Sequence, residues 1–94
     1  MKQRTDEQLL AEYLRGDRQA FTELIGRYQS ELYNYLLKFL SQPALAEDVF
    51  QETFLQVHLS AESFQAERRF RPWLYTIAVN KARDLLRKQK RRHS

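Results

Sequence analysis

AEDVFQETFLQVHLS, residues Ala46 to Ser60, is the stretch on which the fold turns. At about 100° per residue it winds into an amphipathic helix. Ala46, Val49, Phe50, Thr53 and Val57 gather on one side and make a core face. Asp48, Glu52, Leu55 and Leu59 gather on the other, with Gln51 on its flank. Two leucines among carboxylates have two readings. Scattered exposed leucines are ordinary on soluble proteins, so the face can simply be solvated. Alternatively it is a docking surface, whose aliphatic centre and charged flanks suit a partner helix offering apolar contacts and basic residues.

Three more helices are readable on either side of it. The first runs from Asp6 to about Arg15, with Thr5 as N-cap and Gln8 as its capping-box partner. Leu9, Leu10, Tyr13 and Leu14 form its apolar stripe, and Gly16 ends it. Asp17 caps the second helix, Arg18 to Leu40. There Ala20, Phe21, Leu24, Ile25, Tyr28, Leu32, Tyr35, Leu36 and Phe39 keep helical spacing. Gly26 lies inside this helix at a cost of about 1 kcal/mol relative to Ala, which suggests close approach of another helix. Ser41 to Pro43 breaks the pattern, and the third helix spans Ala44 to Leu59. Ser60 to Phe70 is an aperiodic connector, and the fourth helix begins near Pro72, a residue tolerated in a first turn. It runs through Lys90 and frays into the last four residues, Arg91 to Ser94. The expected fold class is all-α, a compact bundle of about four helices with no sheet.

Composition supports this. Ninety-four residues make one small domain, expected over 1–94 with its core at about 6–88 and a basic tail at 89–94. Only 2 Gly and 2 Pro argue against a β-sandwich with its many turns. The absence of cysteine excludes disulfides and thiolate metal sites and is compatible with a reducing cytoplasm. No apolar run is long enough for a signal peptide or a membrane span. Residues 1–80 hold nine basic and eleven acidic side chains, whereas residues 81–94 hold seven basic and one acidic. That asymmetry suits a polyanion at one end of the molecule, or a solvated tail.

The fourth helix resolves into two faces. Leu74, Ala78, Ala82 and Leu85 point one way, with Tyr75 and Leu86 at the margin. Trp73, Thr76, Asn80, Arg83 and Arg87 point the other. Arginine bonds phosphate bidentately, Asn reads base edges, and Trp offers a platform for an unstacked base. Trp73 alone reads equally well as a core residue. The whole stripe, with Lys81, Lys88, Lys90, Arg91 and Arg92 around and beyond it, favours nucleic acid. In the connector, Phe64 among Ser60, Ser63, Gln65, Arg68 and Arg69 is either a pocket wall for an extruded base or a plug of the core. No Gly-rich phosphate loop, Ser/His/Asp set or cysteine ligand is present. His58 and His93 stand alone. No catalytic residue, metal or cofactor is expected.

The segments AEDVFQETF (46–54), SF (63–64) and FRPWLYTIAVNKARDLLRKQKRR (70–92), with GDRQAFTELIGRYQSELYNYLLKFL (16–40) before them, resemble the second conserved region of bacterial sigma factors. The likeness is greatest to the extracytoplasmic-function group of the sigma-seventy family and covers about Asp6 to Arg92. It rests on D-x-x-Q-E-x-F followed at this distance by W-L-x-x-I-A-x-N. The resemblance implies a cytoplasmic transcription-initiation domain, not an enzyme, with two partners. One is core RNA polymerase, met through the coiled coil of its beta-prime subunit. The other is promoter DNA, recognised and melted at the −10 element, with the non-template strand held single. Asp48, Gln51 and Glu52 match the polymerase-binding motif, to which the helical wheel adds Leu55. Ser60 to Arg69, with Phe64, matches the loop that pockets a flipped base. Asn80 matches a residue near that pocket, and Trp73 to Arg87 the helix that meets the promoter. The resemblance also admits an anti-sigma factor, and a helix-turn-helix domain beyond the basic tail. The connector's QAERR (65–69) and the following Pro72 depart from the family pattern.

Two other classes fit parts of the sequence. A helical protein-interaction adapter with a solubilising basic tail explains the Asp48 face and treats the arginines as solvated. A duplex-binding repressor needs a short recognition helix after a tight turn, and none is visible.

Overall fold

Thr5 opens the first helix in both directions of a capping box. Its hydroxyl accepts from the Gln8 amide at 3.0 Å, and the Gln8 side chain accepts from the Thr5 amide at 2.8 Å. The structure, a computed structural model, describes residues 3–65 and 67–92. Its elements are α1 (Asp6–Leu14), α2 (Arg18–Leu40), α3 (Pro43–Ser60), a 3-10 turn (Ala61–Ser63) and α4 (Phe70–Arg92). No strand occurs among the described residues. None of their helices is long and apolar enough to cross a membrane. His93, and the expected fraying at Ser94, lie outside the described residues, whereas Arg91 and Arg92 remain helical.

The helix junctions follow local chemistry. Gly16 turns the chain at φ +109°, a conformation that glycine adopts without a steric cost. The Asp17 carboxylate then caps α2, accepting from Gln19 and Ala20 at 3.1 and 3.3 Å. Ser41, at φ 64°, ends it. The break is shorter than the sequence suggests: Pro43 is the first residue of α3 rather than part of the interruption, because a first-turn residue needs no intrahelical N–H. Likewise α4 starts at Phe70, two residues ahead of Pro72. Pro72 falls in the first turn and sacrifices no hydrogen bond.

Side-chain pairs define the topology. Tyr13 stacks on Phe21 at 4.4 Å, and Asp6 bonds Arg27 at 3.0 Å, so α1 and α2 run antiparallel. Phe21 meets Phe54 edge-on, whereas Tyr33 shares a groove with Glu47 and Phe50, so α2 and α3 are also antiparallel. Tyr28 packs on Phe70 and Tyr35 on Tyr75, which makes α2 and α4 parallel. Leu9, Leu10, Leu24, Leu32, Val57 and Phe70 are fully buried between these layers. Phe70 heads the fully buried side chains by volume, although the sequence places it only at the end of a connector.

Three expectations are corrected. The apolar stripes are drawn too wide: Leu14, Tyr35 and Phe39 remain exposed, because a three-neighbour bundle does not cover the margins of each stripe. Phe54, outside the wheel's core face, is buried against Phe21 and Phe50. Gly26 is not a crossing point. It is exposed, and a Cβ there would meet nothing within 4 Å. Gly26→Ala should therefore stabilise the domain by about 0.5–1 kcal/mol, as restricting a helix-interior glycine does. Urea unfolding with an unchanged m-value is the check, and a loss of stability would contradict the open geometry.

Candidate nucleic-acid and partner interfaces

The outer side of α4 begins with aromatic packing. Phe70 is buried, and the Trp73 ring lies 5.9 Å from it. Phe64, reaching in from the connector, lies 4.8 Å from Trp73 and 6.3 Å from Phe70. Phe64 and Trp73 are both half-buried. Each thus has part of its surface in the core and part toward solvent. A shallow groove lies beside this cluster and shares Trp73 with it, lined by Arg68, Arg69, Pro72, Trp73 and Thr76. Pro72 is one of its walls. The Thr76 hydroxyl donates to the Pro72 carbonyl at 2.9 Å and keeps its lone pairs for another donor.

Asn80 lies one turn beyond Thr76 and is exposed, with no side-chain partner among the described residues. Arg83, Arg87 and Lys88 continue along the exposed side. Lys81 is half-buried, one residue off the stripe. Arg87 makes a loose pair with Asp84 at 3.5 Å, both well exposed. Such a pair contributes little and leaves the guanidinium available. Arg68, Arg69, Arg83 and Lys88 make no ion pair among the described residues.

Arg71, between these residues in sequence, is used differently. Its guanidinium bonds the Glu31 carboxylate at 2.6 and 2.8 Å and lies over the rings of Tyr75 and Tyr28. The bond to Arg71 holds the Glu31 carboxyl below its ordinary range. Glu31 in turn raises Arg71. Tyr75, which donates to Glu31 at 2.9 Å, is pushed up to about 12, chiefly by burial and then by that carboxylate. The Tyr28 hydroxyl is also raised, chiefly by burial and then by the hydrogen bond it donates to Asp6. This cluster fastens α4 to α2. Nothing in the sequence separates Arg71 from Arg68 and Arg69, because its partner lies 40 residues away.

On α3 the other face is open. Asp48, Gln51, Glu52, Leu55 and Leu59 are all exposed, Leu55 at 57% and Leu59 at 67%. The Gln51 amide reaches Glu47 at 3.4 Å. Asp48 and Glu52 have no cation partner among the described residues. A groove lined by Gln29, Tyr33, Glu47, Phe50 and Gln51 borders this face. His58 is not free: its Nδ1 pairs with the Tyr13 hydroxyl, and its ring lies near Phe21. This is a tie between α3 and α1.

These features define the class of protein: an all-helical domain, with an acidic and aliphatic face on one helix and a basic groove beside aromatic rings at the next. The Sigma-70 region 2 family model matches residues 24–92. The ECF RNA polymerase sigma-E factor of Haemophilus influenzae is 41% identical over 97% of this chain and 48% of its own length. The ECF RNA polymerase sigma factor SigW of Bacillus subtilis is 36% identical over 81% of this chain and 41% of its own. A solved NMR structure, an engineered region 2 of sigmaE in complex with GTAAAA, is similar with a TM-score of 0.87 and 36% identity. That similarity covers 98% of this chain and 96% of that one. The chain belongs to the Sigma-70 region 2 family. It spans about half the length of the curated relatives it matches.

Proposed function

We propose that this domain directs transcription initiation, docking on core RNA polymerase through α3 and capturing the single-stranded −10 element of a promoter along α4. The observation that carries this reading is the groove of Arg68, Arg69, Pro72, Trp73 and Thr76, one helical turn before Asn80, on a fold shared with an engineered region 2 of sigmaE in complex with GTAAAA. Promoter opening of this kind needs no bond-making chemistry. It needs binding energy available only to the open strand. Extruding a base costs a few kcal/mol, and stacking on an aromatic returns about 1–3 kcal/mol per base. Phe64 and Trp73 supply the aromatic surface, Asn80 the base-edge contact, and Thr76 a hydroxyl beside the groove. Arg68, Arg69, Lys81, Arg83, Arg87 and Lys88 supply charge to the phosphates. Asp48, Gln51 and Glu52 set the register of the polymerase coiled coil, in the beta-prime subunit, and Leu55 adds contact area. The domain works in the cytoplasm beside the polymerase. An anti-sigma factor that covers either face would silence it, and a helix-turn-helix domain after the basic tail would read the upstream promoter element.

The adapter reading explains the α3 face but leaves the groove without a purpose. A titration with single-stranded DNA at moderate salt separates the two, since an adapter shows no binding. Within the promoter reading the roles divide. Asn80→Ala should cost about 1–3 kcal/mol on a matched strand and little on a scrambled one. Arg87→Ala should weaken both alike and flatten the salt dependence by about 0.7 in logarithmic slope. Equal loss on scrambled DNA for Asn80→Ala would remove Asn80 from base reading.

A further inference from the structure

α1 supplies no residue to the groove on α4 or to the Asp48, Gln51, Glu52 and Leu55 set on α3, and the family model begins only at residue 24, after α1 has ended. Yet the first turn of α1 holds the start of α4. The Glu7 carboxylate accepts a hydrogen bond from the Phe70 backbone amide at 2.6 Å, across 63 residues of chain. Phe70 is the first residue of α4, so Glu7 satisfies one of the amides that every helix leaves open at its N-terminus. A carboxylate there also favours the helix dipole. Asp6, beside it, bonds the Tyr28 hydroxyl, and the Tyr28 ring packs on Phe70 at 5.8 Å. The Thr5–Gln8 capping box fixes the turn that carries both carboxylates. Two adjacent acids of α1 therefore grip Phe70, one at its amide and one through a ring.

Phe70 is where the connector ends and the groove begins. Its ring supports Phe64 and Trp73, and Arg68 and Arg69 immediately precede it. We infer that Glu7 is a positioning residue for the single-strand groove. It fixes the first turn of α4, and through Phe70 sets how Phe64, Arg68, Arg69 and Trp73 face the DNA. The inference rests on the promoter reading.

Glu7→Ala and Glu7→Gln in the full chain form the test. Gln keeps an acceptor oxygen for the Phe70 amide, and Ala does not. The probe is the hexamer GTAAAA, with core RNA polymerase binding measured in parallel. Glu7→Ala should weaken hexamer binding by up to about tenfold, because binding must then re-impose the geometry that the hydrogen bond holds in the free chain. It should leave polymerase affinity unchanged and shift the emission of Trp73, the chain's single tryptophan. Glu7→Gln should restore most of the affinity and the emission. Unchanged hexamer binding in Glu7→Ala overturns the inference, as does an equal loss of polymerase binding, which would indicate a general loss of fold. If the wild-type chain fails to bind the hexamer, the promoter reading falls, and hydrogen exchange at the Phe70 amide decides the Glu7 contact. Faster exchange in Ala but not in Gln supports it, and equal exchange overturns it.

Discussion

Phe70→Ala should bring the domain close to unfolding, with a loss of about 3–5 kcal/mol, the usual cost of emptying a fully buried aromatic site. Domains of this size have about 5–15 kcal/mol in total, and each 1 kcal/mol shifts Tm by about 4–8 °C. The melting temperature should therefore fall by at least 10 °C on these scales, read by far-ultraviolet circular dichroism. The cavity would be bordered by the rings of Tyr28, Phe64 and Trp73, which lie 5.8, 6.3 and 5.9 Å from Phe70. None of the three can close it without leaving its own neighbours. Phe64→Ala makes the control, because Phe64 is half-buried and has less to lose. It should cost clearly less stability while still weakening single-strand binding. If Phe70→Ala melts within a few degrees of the wild-type chain, Phe70 is not the anchor of the groove.

The second large effect belongs to α3. Asp48→Ala combined with Glu52→Ala should raise the Kd for core RNA polymerase about 30-fold, the effect of losing about 2 kcal/mol at an interface centre. The fold should not suffer. Asp48 and Glu52 are like charges four residues apart on one helix, exposed, with no cation partner among the described residues. Such a spacing is mildly destabilising, and Ala is the better helix former. The double variant should therefore melt at or slightly above the wild-type temperature while binding polymerase poorly. A fall in both properties would mark the carboxylates as structural. Unchanged polymerase affinity would remove α3 as the docking face.

Helical periodicity carried the architecture: four helices in the right order, with the Thr5 and Asp17 caps and the buried faces of α3 and α4. It also located Leu55 and Leu59 as exposed, since a residue opposite the core face has little else to do. What periodicity could not show are contacts made across the fold. Phe70 sits in an aperiodic stretch, and its burial depends on Tyr28 and on Glu7, 42 and 63 residues away. Arg71 reads like its neighbours Arg68 and Arg69 until Glu31 is seen beside it. Gly26 invited a close-packing explanation because the helical wheel shows which residues share a side, but not which sides find a neighbour. The groove was legible as residue types in Trp73, Arg68 and Arg69, with Phe64 packed against Trp73 beside it. Its wall at Pro72 was not, because a proline after a connector reads first as a helix start.

That the α4 groove captures unstacked bases is tested by titrating the chain with a longer oligonucleotide carrying GTAAAA, once single-stranded and once annealed to its full complement, at the same moderate salt, following Trp73 fluorescence. The single strand should quench Trp73 and bind at least tenfold more tightly than the duplex, a preference of about 1.4 kcal/mol and within the stacking contribution of one base. Equal affinity for the two forms with Trp73 emission unchanged would contradict it.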